Sequence, residues 1–181
     1  RSCQSLLTDS QDRVWIGYQG GGAAVYDKGT FRAFRDADGL TRGSMLGIME
    51  DKTGAIWFAT STGLSRYQNG RFTSITQTNA PLVDLVPVFL EDGDGYIWVG
   101  VNSGLGVVRF HPREVDRIAA SPSHQLEYAL YDDTDGLDQS PLTWQSGVGG
   151  VRAADGRLWV TSGPGITIID PRNLPRSRRP T

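Results

Sequence analysis

Cysteine occurs once, at Cys3, so an internal disulfide and a cysteine-built zinc site are both excluded. Histidine is nearly as scarce, with His111 and His124 alone. Neither sign of charge dominates: 18 basic residues stand against 20 acidic ones, for a formal net charge of −2. The surplus of Lys and Arg that a nucleic-acid footprint requires is missing, which excludes that class of partner. Lysine is confined to Lys28 and Lys52 beside 16 arginines. No apolar run approaches the ~18 residues of a membrane-spanning helix. The chain opens Arg-Ser-Cys, with no initiator Met and no signal peptide, and is expected to be a piece of something longer.

Glycine is what the chain has in plenty: 23 residues, spread over the whole length. With 9 prolines and several short apolar runs, this predicts many tight turns between strands, hence an all-β chain. A helical bundle is excluded.

An internal repeat gives those turns an order. Four of the five tryptophans share one phrase: Val14-Trp15-Ile16-Gly17, Ile56-Trp57-Phe58-Ala59, Ile97-Trp98-Val99-Gly100 and Leu158-Trp159-Val160-Thr161. They are spaced by 42, 41 and 61 residues, so an insertion precedes the fourth. Six places before the tryptophan stand Asp9, Asp51 and Asp92, with Ala153 as the exception; three places before it stand Gly54, Gly95 and Gly156, with Asp12 in the first unit. Asp-x-x-Gly predicts a type I turn, in which the Asp side chain bonds the turn backbone. Asp12 can replace glycine because Asp tolerates left-handed backbone.

A second strand follows each tryptophan phrase, beginning at Gly63, Gly106 and Gly165, or at Ala23 in the first unit. Asn69-Gly70 and Lys28-Gly29 then lead into a third, and Asn-Gly between apolar-aromatic runs is a strong hairpin signal. A short run precedes each Asp turn at Ser5–Leu7, Leu46–Met49 and Val86–Leu90. Each unit is therefore four short antiparallel strands, although the fourth lacks a clear outer one. Runs such as Tyr96-Ile97-Trp98-Val99-Gly100 are apolar on both faces, as in a strand buried on both sides. Radial stacking of sheets provides that burial, so the predicted fold is a β-propeller of about four blades. The blades span about 3–36, 43–76, 83–131 and 143–170, with a basic Pro/Arg tail over 175–181.

The phrase Glu50-Asp51-Lys52-Thr53-Gly54-Ala55-Ile56-Trp57-Phe58-Ala59-Thr60, followed by Gly63-Leu64-Ser65-Arg66-Tyr67, resembles the two-component regulator propeller repeat. So do Asp38-Gly39-Leu40 and Asp135-Gly136-Leu137, and the ending from Gly165 to Leu174 resembles the last blade of that family. The resemblance implies the extracytoplasmic, periplasmic sensor propeller of a bacterial membrane receptor, without catalysis of its own. A following β-sandwich, membrane helix and signalling output domain would lie in other parts of the receptor. Four blades are fewer than that family's closed ring. Both end faces are therefore expected to be open, and either to associate with another copy or to close as a strained four-bladed ring. Two other readings stand beside it: a protein-interaction propeller without a small ligand, and an enzyme resembling the streptogramin lyase, which would need a His–carboxylate pair at the central channel. A sialidase-type Asp box is excluded, because Ser10, Lys52, Gly93 and Ala154 hold the place its Asp needs.

Chemistry-bearing clusters are few. Asp132, Asp133, Asp135 and Gly136 suggest a calcium loop, but Tyr131 and Leu142 stand where carboxylates are needed. Gly20-Gly21-Gly22 lacks the following helix and the Lys-Ser/Thr of a phosphate loop. The sequence thus asks for no metal and no cofactor. A ligand site is expected on the loops that join one blade to the next, where Arg42, Gln77, Asn79, Gln139 and Trp144 are the candidates for a small-molecule or glycan ligand. Trp144 stands out because it is not a repeat tryptophan.

Overall fold

The computed structural model of the chain describes residues 2–80, 85–101, 106–132, 135, 149–162 and 165–174, with backbone alone for 85–87 and 162. Four antiparallel sheets follow one another as blades, each with its strands in chain order. Blade 1 holds β1 (Cys3–Thr8), β2 (Val14–Tyr18), β3 (Ala23–Asp27) and β4 (Thr30–Phe34). Blade 2 holds β5 (Met45–Glu50), β6 (Ile56–Thr60), β7 (Gly63–Gln68) and β8 (Arg71–Ile75). Blade 3 holds β9 (Leu85–Glu91), β10 (Ile97–Val101), β11 (Gly106–Phe110) and β12 (Tyr128–Tyr131). Blade 4 shows three strands among the described residues: β13 (Gly150–Arg152), β14 (Leu158–Ser162) and β15 (Gly165–Ile169). The first strands of successive blades lie side by side, as in a propeller whose innermost strands ring the axis.

The Asp turns form as the spacing predicts. Gly54 N–H donates to the Asp51 carbonyl at 2.9 Å, and Asp12, Gly95 and Gly156 repeat that bond. Asp12 has φ 61°, beside 81°, 84° and 88° for the three glycines, so an aspartate does take the left-handed place. Asn69 and Gly70 have φ 51° and 79°, the paired positive values of a type I′ hairpin.

Each Asp carboxylate does more than close its turn. In blade 2, Asp51 Oδ1 accepts from the Thr53 and Ala55 N–H groups, and Oδ2 accepts from the Trp57 indole at 2.7 Å. Asp9 holds Trp15 at 2.7 Å in the same way, and Asp92 holds Trp98 at 2.8 Å together with the Arg109 guanidinium. Burial by itself would raise the Asp9 and Asp92 carboxyls; the bonds from indole, backbone and guanidinium outweigh it and hold both below the usual aspartate range. The three tryptophans are fully buried. Each packs against the following blade: Trp15 meets Phe58 and Tyr67 of blade 2, Trp57 meets Phe89 and Phe110 of blade 3, and Trp98 lies in one cluster with Leu158, Val160 and Ile169 of blade 4. Full burial of one such side chain contributes about 2–3 kcal/mol.

A second tie runs between blades. Glu50, at the end of β5, accepts the Ser10 N–H of blade 1 at 2.8 Å, and Glu91, at the end of β9, accepts the Lys52 N–H of blade 2 at 2.8 Å. Burial pushes the Glu91 carboxyl above its ordinary value in spite of that bond. Where blade 4 would repeat the glutamate, Arg152 stands instead.

The insertion lies between the third and fourth strands of blade 3 and carries a helix, α1 (Arg113–Ala120). Pro112 starts it, Glu114 and Asp116 fill the first turn, and Val115 and Ile118 are buried on one side. The helix packs on β8 at the outer rim of blade 2, and Arg66 of β7 pairs there with Asp116. Four apolar residues in its eight leave only a short stripe, too brief to stand out among strand repeats.

The central strands show where the arc ends. Every residue of β6 and of β10 is buried, because a blade covers each side. In β2, by contrast, buried residues alternate with partly exposed ones. Leu6 and Phe31 of blade 1 are 65% and 67% exposed, and Val151 and Ile166 of blade 4 are 58% and 62% exposed, so the arc is open and blade 4 does not cover blade 1.

Candidate functional site

Antiparallel blades send their Asp turns to one face of the arc. The opposite face carries the turns between second and third strands together with the linkers between blades. There, over blade 2, an open cleft of about 810 Å³ is lined by the linker from blade 1 (Asp36 to Arg42), by Thr62, and by Ser74, Thr76, Gln77 and Thr78 on the way to blade 3.

The walls form for local reasons. Asp36–Asp38 make one 3-10 turn, capped when the Arg35 N–H donates to Asp38 Oδ2 at 2.8 Å and ended by Gly39 at φ 95°. Across the cleft mouth, Gly63 is required: at φ 156°, a Cβ there would run into the Ile75 carbonyl. A line of hydroxyls runs beside the cleft, and Thr41 and Ser74 of that line reach its lining. Thr60 Oγ1 lies 3.0 Å from Thr41 Oγ1, which lies 3.0 Å from Ser65 Oγ, which lies 2.7 Å from Ser74 Oγ. Ser74 donates in turn to the Gly39 carbonyl at 2.6 Å. A carbonyl only accepts, so that last bond sets the direction from Thr41 towards Gly39, with Thr41 donating to Ser65 and Ser65 to Ser74, while Thr60 stands at the head of the series with the Gly63 carbonyl also in reach of its proton at 3.1 Å. The series fastens the blade 1–2 linker to the strands of blade 2, and a gap in it would leave a buried hydroxyl unpaired.

At the rim, the Arg42 guanidinium donates to Asp36 at 2.9 Å, and both side chains reach solvent. Thr62 Oγ1 donates to the Arg42 carbonyl at 2.6 Å, which holds the arginine's backbone in place. Gln77 is exposed in the lining, and its amide has no hydrogen-bond partner among the described residues. The lining is thus rich in hydroxyls, balanced in charge, and suited to polar neutral groups.

Of the sequence candidates, Arg42 and Gln77 both line this cleft. Asn79 does not join them. It is 4% exposed, and its amide donates to the Pro122 and His124 carbonyls at 2.9 and 3.1 Å, a clamp on the insertion rather than a ligand contact. Gln139 and Trp144 lie outside the described residues, as do Asp133, Gly136, Leu142 and the tail 175–181. Thr62, Ser74 and Thr76 escaped sequence reasoning, since short hydroxyl residues among strand ends carry no distinguishing signal.

Neither histidine reaches the cleft. His111 packs edge-on against Tyr96 and accepts from the Arg113 N–H at 3.1 Å; burial, then Arg113 and Lys52, lower its pKa. His124 does form a His–carboxylate pair, 3.0 Å from buried Glu114, but on α1 at the outer rim and not on the inner strands.

Neither a family model nor a curated protein matches the sequence. Solved structures do. The extracellular domain of BT3049 from B. thetaiotaomicron, assigned as a hybrid two-component system, matches with a TM-score of 0.71 and 23% identity over 93% of this chain and 22% of its own. That of BT4673 from the same organism, assigned as a one-component system, matches at 0.68 and 23% identity over 94% of this chain and 24% of its own. Virginiamycin B lyase from Staphylococcus aureus matches at 0.64 and 14% identity over 92% of this chain and 54% of its own. The chain therefore spans about a quarter of the two receptor domains and about half of the lyase. The resemblance read from the repeats stands at the level of the fold: this chain is a run of propeller blades of the kind found in the extracellular domains of BT3049 and BT4673.

Proposed function

We propose that the chain is part of a non-catalytic, extracytoplasmic sensor propeller of a bacterial signalling receptor, and that the cleft over blade 2 takes a polyhydroxylated small molecule such as a glycan. The supporting observation is the cleft itself. Two successive blade linkers line one cleft, with the exposed side chains of Arg42, Asp36 and Gln77 beside the hydroxyls of Thr41, Thr62, Ser74, Thr76 and Thr78. A ligand that bridges both linkers would stabilise one packing of blades 1 to 3 over another, which is what a sensor requires. The likeness to the receptor domains favours this reading. The likeness to the lyase is to a protein of lower identity, and the one His–carboxylate pair described here, His124 with Glu114, lies away from the cleft.

The test is a panel of oligosaccharides titrated into the labelled chain and followed by amide shifts. Binding should perturb Thr62, Gln77 and Thr78, and Gln77→Ala should weaken it about fivefold, the equivalent of one hydrogen bond of about 1 kcal/mol. A ligand that perturbs only residues on the Asp-turn face would refute the assignment.

A further inference from the structure

The hairpin of β7 and β8 carries a polar square that the propeller repeat does not use. Strand register sets Arg66 opposite Thr73 and Gln68 opposite Arg71, and the alternation of strand side chains puts all four on one face. Trp57 lies opposite Arg66 and packs on Phe110, so this face is the one turned to blade 3. Arg66 has a counterpart in blade 3: Arg109, opposite Trp98, donates to the Asp92 carboxylate at 2.9 Å. Arg66 shows no such bond to Asp51. Its guanidinium turns instead to the insertion, where it donates to the Pro112 carbonyl at 3.2 Å and pairs with Asp116 of α1.

Hairpin and helix border an open cavity of about 470 Å³, lined by Arg66, Gln68, Asn69, Arg71, Thr73 and Asp116. Both walls are internal to the chain, blade 2 on one side and the insertion of blade 3 on the other. The Arg66 side chain is only 9% exposed, and its further N–H groups find no acceptor among the described residues. Gln68, Asn69, Arg71 and Thr73 have no side-chain partner there either. Two guanidinium groups against one carboxylate leave a positive charge uncompensated. The planar fork of a guanidinium is matched by the oxygens of a carboxylate or a phosphate.

We propose that this cavity is an anion site: the carboxylate or phosphate group of a small molecule sits between Arg71 and Arg66, with Gln68, Asn69 and Thr73 as neutral hydrogen-bonding partners. Asp116 is the built-in competitor. It holds Arg66 in the absence of ligand, and at 61% exposure its carboxylate turns to solvent when an oxyanion takes its place. The site is separate from the cleft over blade 2, since it lies at the Asn69-Gly70 end of the hairpin, on the Asp-turn face.

The test is a titration of the isotope-labelled full chain with glucuronate, inorganic phosphate and glucose, followed by amide shifts. At least one of the two anions should shift Asn69, Gly70 and Arg71, with an affinity that falls as salt is added; glucose should not. Which anion binds tells a carboxylate ligand from a phosphate. Arg71→Gln should weaken binding about tenfold, as loss of a charge-assisted pair does, with an unchanged far-UV circular dichroism spectrum because Arg71 is exposed. Asp116→Asn should tighten binding about threefold, since it removes an exposed competing charge. A merely structural Asp116 would not raise affinity. No hairpin shift with either anion, glucose binding equally well, or undiminished affinity in Arg71→Gln would overturn the site. Shifts confined to Thr62, Gln77 and Thr78 would belong to the cleft and overturn it too.

Discussion

Blades 3 and 4 place a tryptophan at the same point of their second strand, and the two are held quite differently. Trp98 is fully buried, bonded to Asp92 at 2.8 Å, with the Arg109 guanidinium 5.4 Å from its ring centre. Trp159 has Ala153 in place of the aspartate and Ile168 in place of the arginine, and its indole N–H is unpaired among the described residues. Yet the turn of blade 4 is intact, with Gly156 N–H on the Ala153 carbonyl at 3.0 Å. The aspartate is thus dispensable for the turn, which glycine and backbone bonds make alone. What it provides is an acceptor for a buried indole and a counter-charge for a half-buried arginine. Blade 4 spends its carboxylates at the surface instead, Asp155 on Arg157 and Asp170 on Arg172, where solvent leaves such pairs worth little. The Arg172 guanidinium holds the Asp170 carboxyl at about 2.

The sharpest way to break the comparison is to remove each wedge. Trp57→Ala should cost about 3–5 kcal/mol in urea unfolding, since it empties a site between two blades. Trp159→Ala should cost no more than about 2 kcal/mol, because Trp159 is only partly buried and its neighbours Val151, Ile166 and Ile168 are exposed. Equal losses would mean that the ends of the arc are as well covered as its middle.

Asp92→Ala comes next. It leaves the Trp98 N–H without its acceptor and the Arg109 charge with only the exposed Asp94 at 4.0 Å, and about 3 kcal/mol should be lost. Asp155→Ala, on an exposed pair, should change stability by less than about 0.5 kcal/mol.

Acid should erase part of that difference. The Asp9 and Asp92 carboxyls sit below their ordinary 3.8 in the folded chain, so they stabilise it fully above that pH and progressively less as pH falls through their folded values. Glu91 works in the opposite sense: with its pKa raised above 4.5, it costs stability as pH rises through the folded value. Melting curves of wild type and Asp92→Ala should therefore lie furthest apart above pH 3.8 and approach one another as pH falls below it. Curves that stay parallel would deny Asp92 its depressed pKa.

The smallest effect is a gain. Ala153→Asp should give Trp159 its missing acceptor and add about 1 kcal/mol. The gain should vanish in a Trp159→Phe background, where there is no indole N–H to satisfy; a gain that persists there would come from the turn instead.

At the cleft, legibility followed chain distance. Arg42 and Gln77 could be placed on one face because the repeat marks both linkers, and the linkers of a propeller share a face. Asn79 sits two residues from Gln77 yet turns inward, because the carbonyls it clamps belong to Pro122 and His124, more than 40 positions along the chain. The hydroxyl series through Thr41, Ser65 and Ser74 was hidden for the same reason: it is a line only when two blade strands and a linker stand together.

The sequence alone determined the blade count, the turns and the apolar wedge. Those rest on local physics: left-handed places for glycine, Asp and Asn, and apolar residues on both faces of a central strand. Tertiary structure alone decided which carboxylates are structural hubs, which hydroxyls line the cleft, and which faces stay open. These depend on what lies across a blade boundary, and a repeat describes each blade without saying whether a neighbour covers it.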